Sequence, residues 1–315
     1  MKKWLKIIVP VVLLAGGAVV CAIRWQAWFG MPAEPQWRGE EVEFVFPAFE
    51  QDSTPESLDI LLLGDIHSRL VSAEYDTLAA RVPQTDIVAQ AGDWMDRGQR
   101  YHQQLLFREW TNSSLADKPV IVCPGNHEYS KGWNKCLSPY WSETFPHPHN
   151  GPQAVPGASY YTDLPGLRFI VIDTNPLDRL VYLTRTLTWL RELQKGARDR
   201  FVVVMMHHPV YSAAKGRVHP LIYAAFRHAL GEADLVIAGH DHNYLRRTPF
   251  VVLNTAGRPK QLREPRLTEA SDTVPVYGVL SVKPSVHGEQ PATLDLRVYH
   301  LADGVLIDSL YVDHH

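Results

Sequence analysis

The chain has 315 residues, 45% of them hydrophobic and 21% charged, an ordinary globular composition with enough apolar side chains for one large domain with a thick core. With 31 basic against 34 acidic residues, a formal net charge of -3 and no long basic run, no nucleic-acid partner is expected. Cys21, Cys123 and Cys136 are too few and too scattered for a disulfide framework or a thiolate zinc site, so any metal must be held by His, Asp and Asn.

Lys2, Lys3 and Lys6 precede an almost unbroken apolar run over residues 7–23, closed by Arg24, Trp25, Trp28 and Phe29. The run is near the short limit for a bilayer span, and Trp4 at one end with Trp25 and Trp28 at the other suits aromatic interfacial belts. Residues 1–29 are therefore expected to form a signal anchor. Basic residues before a span stay cytoplasmic, which sends the rest of the chain to the extracytoplasmic side. The alternative is a cleaved signal peptide and a secreted product, for which Gly16-Gly17-Ala18 offers small residues. Against it, the apolar run continues past Ala18 to Ile23, and Val20 before Cys21 does not suit a lipoprotein signal. Residues 30–39, rich in proline and polar side chains, read as a linker, and residues 40–315 as the folded domain.

Residues 41–46 alternate apolar and acidic side chains as on a half-buried strand, and 51–56 read as a turn. Short apolar strands then alternate with amphipathic helices. The strands are predicted at 58–63, 87–90, 120–123, 167–172, 201–206 and 235–238, the helices at about 74–81, 102–110, 187–194 and 220–230. A long excursion over 129–157 carries aromatics, prolines and glycines with little periodicity, and is expected to form one wall of a substrate pocket. Strands at 250–254, 276–282, 293–299 and 306–312 then follow one another without helices. This order predicts an α/β fold in which these last strands make a second sheet packed on the first. Cys123, at a strand end, reads as a packed thiol, with Cys136 either packed or bridged to it.

Five short segments recur in fixed order: Gly64-Asp65-Ile66-His67, Gly92-Asp93-Trp94-Met95-Asp96-Arg97-Gly98, Gly125-Asn126-His127-Glu128, His207-His208-Pro209 and Gly239-His240-Asp241-His242. Each follows an apolar run, which puts it on a loop at a strand's C-terminal end, where open α/β sheets place their ligands. Carboxylate, imidazole and amide-oxygen donors suit hard or borderline divalent metals. Asp65 and His67, two apart as the chain leaves a strand, can point into one site, and Asp93 can bridge two ions through its two oxygens. Asn126 offers an amide oxygen; His207, His240 and His242 offer imidazole nitrogens. Singly each segment is more simply a turn or a cap. Jointly they supply ligands for two divalent ions, with manganese, zinc and iron as candidates.

The pattern resembles that of the calcineurin-like metallophosphoesterase superfamily: Asp-x-His, Gly-Asp, Gly-Asn-His-Glu, a strand-end His and Gly-His-x-His, here over residues 58–242. The resemblance implies a four-layer α-β-β-α sandwich, two packed mixed sheets flanked by helices, with 40–315 as the catalytic domain. It implies that Asp65, His67 and His242 hold one metal, that Asn126, His207 and His240 hold the other, and that Asp93 bridges them. His127 is then a donor to the phosphate or leaving oxygen, not a ligand. Residues 92–98 have the Gly-Asp-x-x-Asp-Arg-Gly form of the Ser/Thr phosphatase branch. That form gives Asp96 the role of orienting His127 and Arg97 that of binding the substrate phosphoryl group, with a surface ion pair as the competing reading for each. His208 is expected to line the substrate pocket or to be structural, and His147 and His149 to lie in a solvated loop. Asp173-Thr174-Asn175, the helix bearing Trp189-Leu190, and residues 239–244 are also similar to purple acid phosphatases. Asp96 stands where that family has its iron-ligating tyrosine and His67 where it has no histidine, which speaks against a purple iron(III) enzyme.

The expected activity is hydrolysis of a phosphoester by a hydroxide held between two metal ions. One alternative is a phosphodiesterase or pyrophosphatase acting on a lipid- or nucleotide-linked substrate, which the anchor would favour. Another, from a different class, is a metal-stabilised binding module without catalysis; such a module would be expected to lack His127 or a ligand, and all are present. The expected partners are a phosphoester and, through the N-terminal helix, a membrane.

Overall fold

The computed structural model describes residues 42–48, 57–129, 137–138, 141–152, 158–177, 180–197, 199–212, 220–262, 268–285 and 291–314, together with 16, 17 and 19. Nearly all of the predicted anchor, the linker 30–39, the turn 51–56 and Cys136 lie outside them. Among the described residues no helix is long and apolar enough to cross a membrane.

The first half of the domain builds on β1 (Leu58–Leu63), β2 (Ile87–Gln90) and β3 (Val120–Val122), which run parallel with Leu61 opposite Val88 and Ala89 opposite Ile121. Helices α1 (Ser72–Arg81) and α2 (Arg100–Thr111) make the crossovers. At the start of α1, Glu74 reaches back to accept the Val71 backbone N–H at 2.9 Å, satisfying a donor that the helix cannot. A short α3 (Trp141–Thr144) precedes the hairpin of β4 (Tyr160–Leu164) and β5 (Leu167–Ile172). The chain then continues through α4 (Leu180–Lys195), β6 (Phe201–Met206), α5 (Pro220–Ala229) and β7 (Leu235–Ala238), with β5, β6 and β7 parallel.

The later strands do not form a sheet of their own. β11 (Val276–Lys283) returns to pair antiparallel with β1, Leu61 opposite Val279, and β12 (Ala292–His300) and β13 (Leu306–His314) extend that edge. β9 (Phe250–Val252) instead lies parallel to β7, and β8 (Tyr244–Arg247) and β10 (Ala270–Asp272) follow it outward. The two mixed sheets are thus ordered β13-β12-β11-β1-β2-β3 and β10-β8-β9-β7-β6-β5-β4. The apolar pattern of each strand is right, but pattern alone does not choose between two apolar sheets.

Each central strand is buried on both faces, which is why it reads as a continuous apolar run. Leu58, Ile60 and Leu62 of β1 point into the layer between the sheets, where they meet a core that includes Phe169, Val203, Met205 and Ile237. Leu61 and Leu63 point the other way, into the layer under α1 and α2 with Tyr75, Leu78, Phe107 and Trp110. Ile170, Val204 and Val236 pack outward toward Leu190 and Phe226 on α4 and α5. Four layers result.

Residues 42–48 form no strand, although their alternation of burial is real. The segment lies across helices instead: the Val42 N–H donates to Gln104 Oε1, the Phe46 N–H to the Thr144 carbonyl, and the Phe46 ring fills a pocket of Trp94, Trp110 and Phe145. His147 is not in a solvated loop. It is buried, stacked on Tyr160 at 4.3 Å between ring centroids, while His149 is exposed. Cys123 is a buried free thiol.

Candidate metal centre

All five segments emerge at the same ends of the two sheets. β1 delivers Asp65 and His67, β2 delivers Asp93, β3 delivers Asn126 and His127, β6 delivers His207, and β7 delivers His240 and His242. Turning so tightly off a strand bends the backbone. Asp65, His67, Asp93, His240 and His242 all adopt left-handed conformations, with φ between 51° and 73°. Each costs on the order of 1 kcal/mol for a residue with a Cβ, and such strain gathers where function demands it. Gly92, at φ 85°, has no room for a side chain: a Cβ there would stand 2.5 Å from His207 Nδ1 and 2.8 Å from the Gly125 backbone.

The donor atoms converge in two groups. In one, His67 Nε2 and His242 Nε2 are 3.2 Å apart, with Asp65 Oδ1 at 3.8 and 3.5 Å from them respectively. In the other, His207 Nε2 lies 3.2 Å from Asn126 Oδ1 and 3.1 Å from His240 Nδ1. Asp93 Oδ2 faces both groups, 3.8 Å from His67 Nε2 and 3.4 Å from His207 Nε2. All seven predicted ligands are therefore brought together.

The outer contacts fix which nitrogen looks inward. His207 Nδ1 meets the Ala91 carbonyl at 2.9 Å and His242 Nδ1 the Arg258 carbonyl at 3.0 Å. A carbonyl only accepts, so both Nδ1 atoms carry a proton, and in the neutral imidazole each Nε2 then offers its lone pair to the site. The oxygens of Asn126 and Asp93 thus converge on His207 Nε2, and Asp65 Oδ1 is buried without a hydrogen-bond partner. Acceptors gathered in this way repel unless a cation lies among them. The donor set fits a pair of divalent ions.

The electrostatics agree. Burial pushes the Asp65 carboxyl well above its ordinary value and the His67 imidazole down to about 3. Burial opposes charge on His207, yet the carboxylates of Asp93 and Asp65 outweigh it and lift that imidazole to about 9. For Asp93 burial would raise the carboxyl, but His207 and the other imidazoles hold it below the usual carboxylate range. That field favours a second proton on His207 Nε2, the place that a metal cation would take instead.

His127 stands at the mouth, its side chain 29% exposed and its Nε2 4.0 Å from Asp93 Oδ2. Its Nδ1 is held by the backbone carbonyl of Asp96. The Asp96 carboxylate, to which the sequence pattern assigns that task, lies 3.9 Å from His127 Nδ1 and 3.8 Å from His67 Nδ1. Arg97 is exposed on the same loop. His208 tucks its Nδ1 2.7 Å from Thr174 Oγ1 and packs its ring against His240 at 4.4 Å.

Two supports were not visible as roles in the sequence. Glu128 closes the Gly-Asn-His-Glu segment as a buried clamp, accepting the N–H groups of Gly125 at 2.6 Å, Asp93 at 2.9 Å and Met95 at 3.0 Å. Burial, reinforced by Asp93, raises its carboxyl to about 7. Thr255, just beyond β9, takes the Gly64 N–H on its hydroxyl at 3.0 Å, and its own N–H donates to the Gly64 carbonyl at 2.7 Å. Such partners are backbone groups, which side-chain spacing does not encode.

Several solved structures share the fold. A purple acid phosphatase from yellow lupin (Lupinus luteus) seeds superposes with a TM-score of 0.60 at 15% identity, covering 82% of this chain and 54% of the lupin protein, so this chain spans about half that protein's length. GAP50, described as the anchor in the inner membrane complex of Plasmodium, gives 0.54 at 14% identity, covering 83% and 90%. A dimetal phosphatase from Danio rerio gives 0.52 at 13%, covering 82% and 99%. At such identities these likenesses speak for the fold alone. Comparison with curated proteins gives no match. Residues 58–244, more than half of the chain, match the sequence pattern of the calcineurin-like phosphoesterases. With the strand order, the donor set and this match in agreement, the chain belongs to the calcineurin-like phosphoesterase family.

Proposed function

We propose that Asp65, His67 and His242 hold one divalent ion, Asn126, His207 and His240 a second, and that Asp93 bridges them in an enzyme that hydrolyses phosphate esters. The observation that carries this reading is the position of Asp93 Oδ2, which faces His67, His207 and His127 at 3.8, 3.4 and 4.0 Å. When bound, the ions supply Lewis acidity and make water a nucleophile at neutral pH. The chain's own residues do the rest. With its Nδ1–H engaged by the Asp96 carbonyl, His127 donates from Nε2 only as an imidazolium, and that proton goes to the leaving oxygen. Arg97, exposed on the same loop, neutralises the equatorial phosphoryl oxygens, and His208 lines the pocket. The excursion over 129–157, of which 130–136, 139–140 and 153–157 lie outside the described residues, would select the organic part of the substrate.

Lys2, Lys3, Lys6 and the apolar run that follows support an anchored enzyme with its domain, residues 40–315, on the extracytoplasmic side. N-terminal sequencing of the membrane fraction tests this: a chain starting near residue 19 sinks the anchor. The Plasmodium protein shows that a protein of this fold can be described as an anchor; here the complete donor set argues for catalysis. The decisive assay loads the purified chain with manganese, zinc or iron and compares an aryl phosphomonoester, an aryl phosphodiester and pyrophosphate. Metal-dependent turnover of at least one is expected. A protein that binds two ions and cleaves none would be a binding module.

A further inference from the structure

Asn126 has an unusual place among the proposed ligands. It stands on the loop after β3, in the six-stranded sheet, whereas the histidines that share its ion follow β6 and β7 in the other sheet. Pairing within either sheet does not set the distance between them. Some contact across the two sheets must.

Asn175, three residues past the end of β5, makes such a contact to the loop of Asn126 itself. Its Nδ2 donates toward the carbonyls of Pro124 and Gly125, both at 3.2 Å, the two peptide oxygens just ahead of Asn126. The same nitrogen is 3.0 Å from Asp173 Oδ1, which also accepts the Asn175 backbone N–H at 3.0 Å. Three acceptors surround this atom, so the amide nitrogen and not the oxygen faces them. β5 runs beside β6 with Ile172 opposite Met206, so Asn175 leaves the sheet alongside His207.

Asp173 is itself immobilised. It is 1% exposed, its Oδ2 accepts the Tyr129 hydroxyl, its N–H donates to Ser159 Oγ at 2.8 Å, and its carbonyl accepts the Tyr182 hydroxyl at 3.0 Å. Tyr129 is also where the aromatic excursion begins. The Pro124 to Tyr129 loop is thus gripped at both ends from the second sheet, while Glu128 grips it from the side of Asp93.

We propose that Asp173 and Asn175 are positioning residues that register Asn126 against His207 and His240, and so set the affinity of the second metal subsite. The inference rests on the reading of Asn126 as a ligand. Partners that orient a ligand typically alter metal affinity ten- to a hundredfold when removed.

The test titrates the full chain with Mn2+, following stoichiometry by calorimetry and ion–ion coupling by electron paramagnetic resonance. Wild type should take up two equivalents with a spin-coupled signal. In Asn175→Ala the first equivalent should bind as in wild type, and the second about ten- to a hundredfold more weakly, with loss of coupling. In the background of Asn126→Ala, adding Asn175→Ala should cost nothing further, because the residue acts through a ligand no longer there. Unchanged binding of both ions by Asn175→Ala, or losses that multiply in the double variant, would overturn the proposal. Fewer than two equivalents on wild type would overturn the dinuclear reading, and the positioning role with it. Circular dichroism monitors folding, and Asn175→Ser, which keeps one donor, carries the comparison if the alanine variant does not fold.

Discussion

Glu128 Oε2 accepts two backbone N–H groups at once, that of Asp93 at 2.9 Å and that of Gly125 at 2.6 Å, and so joins the loop of Asp93 to the loop of Asn126. Replacing this carboxylate by an amide turns one acceptor into a donor facing a donor. Glu128→Gln is expected to lose about 1–3 kcal/mol of stability for the unpaired buried group and roughly ten- to a hundredfold in metal affinity. Denaturant unfolding and metal titration check both. Wild-type metal binding in a folded Glu128→Gln would show that the clamp does not set the site.

His127 and Asp96 separate a chemical role from a positional one. His127→Ala should lower kcat by about 10²–10⁴-fold with two metals still bound. Asp96→Asn keeps the backbone carbonyl that holds His127 Nδ1, so it should cost much less in kcat, with any loss appearing as weaker metal binding through His67. Equal losses of kcat in the two variants would restore to the Asp96 carboxylate the orienting role that the sequence pattern implies.

Asp308 fastens the two sheets together from β13. Its Oδ2 accepts from Arg246 Nε and from the Tyr244 hydroxyl, both at 2.6 Å, while Oδ1 takes Arg246 Nη2 at 3.1 Å. Burial works to raise this carboxyl, but the Arg246 and Tyr244 hydrogen bonds outweigh it and hold it below the ordinary range. A depressed folded value stabilises above the unfolded carboxylate pKa, about 3.9, and that stabilisation is lost as pH falls through the folded value. Asp308→Asn should therefore destabilise by about 1.5–3 kcal/mol at pH 7, with the gap from wild type closing below about pH 4. A gap that stays constant with pH would mean the charge contributes nothing.

Gly92→Ala tests the crowding beneath the site. The left-handed backbone and the clash with His207 together predict a loss of about 2 kcal/mol or more, and a weaker second metal because His207 must move. Thermal unfolding with and without Mn2+ reads both effects, and a neutral substitution would show that the Gly92 turn is free to relax.

What the sequence disclosed follows from what each residue needs nearby. β1, β5 and β6 lie where their apolar runs put them, because strands covered on both faces carry continuous Leu, Ile, Val and Phe. The proposed metal ligands were legible as residue types at strand ends. β8 and β10, with Tyr-Leu-Arg-Arg and Ala-Ser-Asp, have no such run; neighbouring strands make them strands. Sheet membership was hidden for a related reason: β11 finds β1 through contacts such as Ser281 to Asp59, 222 residues apart in the chain. Glu128 stood in plain view inside a motif, but its partners are peptide N–H groups. Asn175 lay outside the five segments, and its task is visible only once two sheets are packed.

The return of β11 to β1 sets the limits of the folding unit. Every proposed ligand precedes Asn243 and the family pattern ends at residue 244, so a chain ending there would keep the whole chemical vocabulary of the site. It would also leave β1, the strand that carries Asp65 and His67, as a bare apolar edge, and strip Gly64 of its Thr255 partner. Such an edge invites pairing between molecules. The recognisable portion of this protein is not its autonomous portion, and anyone trimming the enzyme to its signature should expect aggregation before inactivity.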